Sequence, residues 1–366
     1  MPGDQDRVCE TCTGRPAFES GSSAVDEALA VPLSLGDPGT ASPSLFTYCA
    51  SRLRRNTDWE RATVGRLVSC HSQMTRFMLR RGLLPGVLAL TLNHPENATH
   101  RLRAFVRWFV HNIRRRISPG RTIRVSVGDD LFLTGPVAVY IPSGRHDVDA
   151  FFALDSILKP DDVFVDVGAN IGAYCVQIGR RLGSGGLIVA VEPVDGQVHY
   201  LSRNLEQLSP RTIVIRAALA DQSRTIGFEP KGPTTGHLSE SADSSAVEVT
   251  TTTLDAIAGR VGITGRRIFV KIDVEGWEPA VVIGAQAVLP SVCGILLEAN
   301  GLQERCPIRW SDAVDVLHAH GFSFVWPFVD RRALEVFPHP EAVAPRGDYL
   351  ALRDDALTAL RASLRD

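Results

Sequence analysis

A turn of small residues after an apolar segment is the first feature of this sequence that could do chemistry. The segment 163–167, apolar except for Asp166, runs into a turn with the pattern Asp166-x-Gly168-x-Asn170-x-Gly172, and a helical pattern follows. Glycine has no Cβ, so it adopts backbone angles that other residues resist and lets a ligand or a neighbouring helix approach the chain. The segment predicts a strand, a tight turn and the first turn of a helix.

An acidic residue follows this turn at a spacing that suits a nucleoside. Glu192 lies twenty residues after Gly172, at the end of a second apolar segment, 187–191. In α/β folds, a glycine turn after one strand and an acid at the end of the next hold the phosphate or amine end and the ribose of a nucleoside ligand. The carboxylate of Glu192 can accept hydrogen bonds from both ribose hydroxyls.

Two cofactor classes use this arrangement, and charge distinguishes them. Dinucleotide enzymes favour three glycines, Gly-x-Gly-x-x-Gly, and bring a pyrophosphate to the helix N-terminus. This sequence lacks the middle glycine and has Asp166 before the turn, where a carboxylate repels a pyrophosphate and attracts a cation. S-adenosylmethionine carries a sulfonium and an ammonium group, so the sequence favours this cofactor over NAD. The structural alternative is a tight turn that binds no ligand.

A second polar cluster interrupts an apolar segment further along the chain. Strand side chains alternate, so Lys271 and Asp273 share one face, together with Glu275 if the strand reaches it. A strand inside a parallel sheet is normally apolar on both faces, so ionisable groups there indicate a site or a buried pair. Asp273 is the first candidate for a general base and Glu275 the second. A Lys271–Asp273 pair that only anchors the turn is the structural alternative.

Two other residues are weaker candidates for the same site. Glu298 ends the apolar segment 294–297, so it adds an acid at a neighbouring strand end. His237 lies in the polar segment 231–245, which is predicted to be a lid, and it is a third candidate base. A histidine in an exposed loop is the alternative. Asp273, Glu275 and Glu298 could supply oxygen ligands to a metal, although their spacing does not require one.

Alternating elements position these residues. Strands are predicted at 163–167, 187–192, 212–217, 267–273 and 293–298, with helices between them. This order is typical of a doubly wound, mostly parallel sheet, in which ligands bind outside the carboxyl ends of the strands. The predicted site residues therefore belong to one edge of the sheet.

Composition limits the class of protein. The chain has 366 residues, 44% of them hydrophobic, and a net charge of -2, which argues against a general nucleic-acid binder. Its acidic, polar beginning is unlike a secretory signal, and no apolar run reaches about 18 residues, so we expect a cytoplasmic protein. Seven scattered cysteines do not indicate a disulfide framework.

The first 120 residues differ from the rest of the chain. Residues 1–45 are rich in Gly, Ser and Pro and are predicted to be a disordered leader. Residues 46–120 form a predicted helical extension that contains many arginines and no lysine. Such a segment is either a solvated helix face or a surface for a membrane or an acidic partner.

Five segments together resemble the FkbM-type family of class I S-adenosylmethionine-dependent methyltransferases. They are the turn at 166–172, Glu192-Pro193, 217–221, 252–255 and 271–278. The resemblance covers about 147–330 as the core of a methyltransferase domain at 121–355, which leaves a C-terminal tail at 356–366. It implies a seven-stranded sheet whose last strand is antiparallel. It also implies cofactor binding by Asp166, Gly168, Asn170, Gly172 and Glu192, with Asp221 near the adenine.

The family implies a hydroxyl acceptor, often on a sugar or a natural product. The loop at 234–245 is longer and more polar than the family pattern, and the first 120 residues have no counterpart in it. Two alternatives stay open from the residues alone. One is an NAD-dependent oxidoreductase. The other is a non-catalytic, methyltransferase-like scaffold recruited through the basic helices.

Overall fold

The computed structural model describes residues 101–117, 122–127, 130–134, 148–230, 236–239, 247–326, 335–337 and 343–364. The predicted leader at 1–45 lies outside these residues. The predicted helical extension at 46–120 also lies outside them, apart from its last helix, α1 (Arg101–Ile117).

One large sheet organises the described part of the chain. Its order is β13-β12-β14-β11-β10-β3-β4-β5, and the run from β11 to β5 is parallel. The sheet strands are β3 (Val163–Val167), β4 (Leu187–Val191), β5 (Arg211–Ile215), β10 (Ile268–Ile272), β11 (Val292–Asn300), β12 (Ser323–Trp326), β13 (Glu335–Phe337) and β14 (Arg346–Leu352). The helices are α2 (Val148–Ile157), α3 (Ala173–Gly179), α4 (Asp195–Leu205), α5 (Leu254–Val261), α6 (Glu278–Ile283), α7 (Trp310–Ala319) and α8 (Asp354–Ser363).

Both faces of this sheet are covered, as the alternation of elements predicted. Val163, Val165 and Val167 of β3 face one buried cluster, to which α5, α6 and α7 contribute. Phe164, between them, faces a second buried cluster with residues of α2, α3, α4 and α8. Because β3 is buried along its whole length, its position favours apolar side chains on both faces of the strand.

The strand count differs from the predicted seven. Eight strands are present in the described sheet, because β13 adds to the edge beside β12. This strand has three residues, too few to show an alternating pattern, and its Phe337 ring lies 5.5 Å from the Tyr349 ring. The last strand, β14, pairs antiparallel with β11, and an antiparallel last strand is what the resemblance implied.

The end of the described chain also differs from the prediction. The segment 356–366 was predicted to be a tail, but most of it belongs to α8, which packs against α2. Ala356, Leu357 and Leu360 are buried at the three- and four-residue spacing of one helix face.

A smaller sheet inserted between β5 and α5 packs beside the large one. Its order is β6-β9-β7-β8, from β6 (Ala218–Leu219), β7 (Thr225–Pro230), β8 (Gly236–Ser239) and β9 (Val247–Thr252). Part of the predicted lid loop is thus the strand β8, while residues 231–235 and 240–246 lie outside the described residues. The buried Trp277 connects this sheet to the large one, because its Nε1 donates to the Leu238 carbonyl at 2.7 Å.

Helix α1 and the hairpin of β1 (Ile123–Val127) and β2 (Asp130–Thr134) precede the large sheet. Asn204 of α4 attaches the hairpin: its side chain accepts from Leu133 N at 2.6 Å and donates to the carbonyls of Leu133 and Ile171 at 3.0 and 2.7 Å. None of the described helices has both the length and the apolar character needed to span a membrane.

Candidate active site

A cavity lies where the carboxyl ends of β3, β4 and β10 meet. The register explains this position, because Asp166 on β3 pairs with Ala190 on β4 and with Lys271 on β10, so the three strands end level with one another. The cavity is lined on one side by Gly168, Asn170, Glu192, Asp273 and Glu275. The small sheet closes the other side with an apolar wall that includes Leu219, Phe228 and Leu238.

The glycine turn has the left-handed backbone angles that its sequence predicted. Gly168, Asn170 and Gly172 have φ of 80°, 53° and 87°. A Cβ on Gly168 would lie 1.8 Å from the Asp273 carbonyl oxygen, so this glycine admits the neighbouring backbone. A Cβ on Gly172 would lie 2.9 Å from the Leu201 side chain. The missing side chains thus bring the turn against the β10 end and against α4.

Glu192 is held in place by the backbone of the cavity wall. Its Oε2 accepts from Asn170 N at 2.9 Å and its Oε1 accepts from Val194 N at 3.0 Å. Burial raises the pKa of Glu192 to about 7, since the two backbone hydrogen bonds offset only part of the desolvation. Each carboxylate oxygen has about two acceptor sites, so both oxygens can still accept a further hydrogen bond.

Asp166 does not line the cavity. It is 1% exposed, and its Oδ2 accepts from Cys175 Sγ at 3.1 Å. Its Oδ1 lies 3.9 Å from Lys271 Nζ and makes no hydrogen bond with any described residue. Burial raises the pKa of Asp166, and the nearby Lys271 counteracts this. The expected direct contact with a cationic ligand is therefore replaced by a buried charge behind the turn.

Lys271 forms the pair that its spacing from Asp273 predicted. Its Nζ lies 3.0 Å from Asp273 Oδ2 and 5.0 Å from the centre of the Tyr174 ring, in a buried position. Burial lowers the pKa of Lys271, but Asp273 and Asp166 outweigh it and hold this pKa above its usual range. Glu298 adds to this effect. A lysine that stays protonated cannot act as a general base. The role of Lys271 is therefore to hold the Asp273 carboxylate through their ion pair.

The turn after β10 holds the second acidic candidate. Glu275 has φ of 55°, an uncommon angle for a residue with a side chain, and its Oε2 accepts from Asn300 Nδ2 at 2.8 Å. The strand ends at Ile272, so Glu275 reaches the cavity through the turn.

Glu278 is a supporting residue that the sequence did not single out. It is fully buried at the start of α6, where its Oε1 accepts from Val274 N and Gly276 N at 3.0 and 3.1 Å. Its Oε2 accepts from Gln303 Nε2 at 2.8 Å, and burial raises its pKa to about 7. An acid in the first turn of a helix was the available signal, because such acids often accept from the orphan amides of that turn.

Asp221 is another predicted site residue that does not line the cavity. Asp221 lies beyond β6, where its Oδ1 is 3.6 Å from Arg224 Nη2. His237 lies on β8 opposite Glu229, between two residues that line the cavity, and its side chain is outside the described part of the structure. Among the described residues, no group of three His, Cys, Asp or Glu is arranged to hold a metal ion.

The charge of the cavity fits a cation. The ionisable side chains among its described lining residues are Glu192, Asp273 and Glu275, and all three are acidic. Lys271 lies behind them and is paired with two carboxylates. A pyrophosphate would meet only repulsion at these three groups, whereas a sulfonium or ammonium group would be attracted.

Buried acids at this site predict an unusual pH dependence of stability. Glu192 and Glu278 bind protons more tightly folded than unfolded, because their pKa values rise from 4.5 to about 7. Stability should therefore fall as pH rises from about 5 to 7 and then level off. We expect the Tm of the cofactor-free protein to be several degrees higher at pH 5.5 than at pH 8.

Differential scanning fluorimetry across this range measures the change of Tm with pH, and Glu192→Gln should reduce that change, leaving the part due to Glu278. Glu248→Gln, at an exposed position on β9, is the matched control and should leave it unchanged. A Tm that rises between pH 5.5 and 8 would contradict the buried-acid explanation.

Comparison with known proteins places this site in a family. Residues 166–324 match the methyltransferase FkbM domain. The hexuronic acid methyltransferase AglP of Haloferax volcanii is 27% identical over 43% of this chain and 63% of its own length. The AMB antimetabolite synthetase AmbE of Pseudomonas aeruginosa is 28% identical over 60% of this chain and 13% of its own length. The chain thus spans less than two thirds of either relative.

Among solved structures, the tRNA (uracil-54, C5)-methyltransferase of Pyrococcus abyssi in complex with S-adenosyl-L-homocysteine is similar over 63% of this chain and 43% of its own. It has a TM-score of 0.34 and 12% identity, so this likeness supports no functional argument. The domain match includes the glycine turn, Glu192 and the turn after β10 that holds Asp273 and Glu275. Residues 166–324 are therefore a methyltransferase domain of the FkbM-type, S-adenosylmethionine-dependent family.

Proposed function

We propose that this protein methylates a hydroxyl group on a sugar or a related natural product, with S-adenosylmethionine as the methyl donor. The observation that carries the proposal is the acidic cavity between the glycine turn, Glu192 and the turn after β10. The hexuronic acid specificity in the name of AglP supports a sugar acceptor.

The residues present suit the cofactor in three respects. Glu192 has acceptor sites left for ribose hydroxyls. The wall that includes Leu219 and Phe228 is apolar, and the ionisable residues of the lining are acidic. When bound, S-adenosylmethionine supplies a methyl group on a positively charged sulfur. The chain must supply orientation, exclusion of water and a group that accepts the proton of the acceptor hydroxyl.

We assign the proton-accepting role to Asp273. It lines the cavity, and its ion pair with Lys271 fixes the position of the carboxylate while leaving Oδ1 available to a hydroxyl. Glu275, held by Asn300, also lines the cavity and is placed to orient the same hydroxyl. Lys271 acts through Asp273 and is a positioning residue.

The test separates cofactor binding from turnover. Purified protein is analysed by mass spectrometry for bound S-adenosylmethionine or its demethylated product, and then assayed with glucuronic-acid and galacturonic-acid glycosides for release of S-adenosylhomocysteine. We expect Asp273→Asn to lower turnover by about 10²- to 10⁴-fold, the usual contribution of a general base. Its cofactor affinity should stay within a few-fold of the wild type.

Glu275→Gln, which keeps the shape of the side chain, should raise the acceptor KM more than it lowers kcat. Full turnover by Asp273→Asn would show that Asp273 is not the general base and would leave Glu275 and His237 as the candidates for that role. Failure of the protein to bind S-adenosylmethionine at all would remove the proposed function.

A further inference from the structure

Helix α1 presents an exposed apolar surface, and one edge of it borders a cleft beside β1 in the described part of the protein. Ala104, Trp108 and His111 are buried and lie on one side of the helix at spacings of three and four residues. Seven apolar side chains on the opposite side are exposed, and two of them are 75% exposed. We call them the apolar arc, and they are Leu102, Phe105, Val106, Phe109, Val110, Ile113 and Ile117.

The apolar arc has an aromatic centre and basic edges. The rings of Phe105 and Phe109 stack with their centres 5.8 Å apart. With 3.6 residues per turn, Arg103, Arg107 and Arg114 follow one edge of the arc and Arg101 lies at the other. The helix contains six arginines and no acidic residue.

We propose that the apolar arc docks on the surface of an anionic phospholipid bilayer, with α1 lying in the plane of the interface. Helices that bind in this way have an apolar face with aromatic residues and a basic polar face, and need not be long or apolar enough to span the membrane. Arginines at the edges of such a face keep their stems along apolar surface and their guanidinium groups among the phosphates.

Charge distinguishes this occupant from the others that could cover an apolar surface. Residues 46–117 contain 14 arginines, no lysine and 3 acidic residues, whereas the whole chain has a net charge of -2. The segment 46–100 has 8 of these arginines against the 3 acids, so it is a poor electrostatic partner for the basic edges. A second copy of α1 would bring arginines against arginines. An anionic lipid surface complements both the apolar arc and its edges.

The apolar character of the outward face also distinguishes a membrane from a nucleic acid. Proteins that bind nucleic-acid backbones place their basic side chains on the contact face, where they neutralise phosphates. Here the exposed apolar side chains are aliphatic and aromatic, and Arg103, Arg107 and Arg114 border them on one side.

Vesicle flotation of the full chain tests the proposal. Vesicles of phosphatidylcholine alone are compared with vesicles of phosphatidylcholine and phosphatidylglycerol in a 3:1 ratio, at low and high salt. We expect binding to the anionic vesicles, weakened by salt, and little binding to the neutral ones. Phe105→Ser/Phe109→Ser should lower the partition coefficient at least about tenfold.

Two further variants sharpen the test. Arg103→Gln/Arg114→Gln should lower binding by about fivefold for each arginine. Phe152→Ser, at a similarly exposed phenylalanine on α2, is the matched control and should bind like the wild type. The aromatic variant should also keep the wild-type Tm, because its side chains are exposed in the folded protein.

Three results would overturn the proposal. The first is equal binding to neutral and anionic vesicles. The second is no vesicle binding together with a Tm lowered by several degrees in the aromatic variant, which would show that the arc packs inside the protein. The third is salt-sensitive binding to a polynucleotide that does not require Phe105 and Phe109. Each of these leaves the proposed methyl transfer unaffected, since none involves the cavity.

Discussion

Glu192→Ala should weaken binding of S-adenosylhomocysteine by about 100-fold or more, measured by isothermal titration calorimetry. A carboxylate that accepts hydrogen bonds from two ribose hydroxyls makes two charge-assisted hydrogen bonds, and each contributes about 1.5–3 kcal/mol to binding. The variant also loses the acceptor that holds Asn170 N and Val194 N, so the cavity wall becomes less well ordered.

Glu192→Gln separates binding from folding. It keeps the shape and one acceptor oxygen, so its affinity should fall between those of the wild type and of Glu192→Ala. Its Tm at pH 8 should not fall, because the ionised Glu192 is destabilised by burial. Binding to the wild type should weaken below about pH 7, where Glu192 takes up a proton. Unchanged affinity in both variants, with Glu248→Gln as the control, would remove Glu192 from the cofactor site.

Gly168→Ala should destabilise the protein more than any other single methyl addition discussed here. The new Cβ would lie 1.8 Å from the Asp273 carbonyl oxygen, and the φ of 80° is strained for a residue with a side chain. Relieving this overlap costs several kcal/mol, because the backbone of the glycine turn has to move away from the backbone at Asp273. With roughly 2–4 °C of Tm per kcal/mol for a domain of this size, we expect a loss of about 8 °C or more.

Gly196→Ala is the matched control for this substitution. Gly196 lies in the first turn of α4, where a Cβ would meet no atom within 4 Å. Alanine there should leave the Tm unchanged or raise it slightly, because it reduces the freedom of the unfolded chain. Thermal unfolding of both variants gives the comparison. A Tm for Gly168→Ala within about 1 °C of the wild type would mean that the turn and the β10 end are not in contact.

The sequence by itself determined the parts of the site that depend on local pattern. The turn at 166–172, the acid at Glu192 and the acids at Asp273 and Glu275 all follow apolar strands. Parallel strands end at the same edge of a sheet, so recognising the strands was enough to predict that these residues meet. The segments 166–172 and 271–278 also carried the resemblance to the FkbM-type family, and both lie inside the region that matches the methyltransferase FkbM domain.

The tertiary structure alone decided which of these groups line the cavity and which support it. Asp166 is turned to Cys175 and Lys271, and Glu278 is held by Gln303, a contact between residues 25 positions apart in sequence. The strand β13 was likewise missed, because three residues are too few to show an alternating pattern. The helix α8 was assigned to a tail although its buried residues have helical spacing, and its packing against α2 is a tertiary contact. Spacing along the chain fixes which face of an element a side chain occupies. The partner it meets there depends on distant segments that only folding brings together.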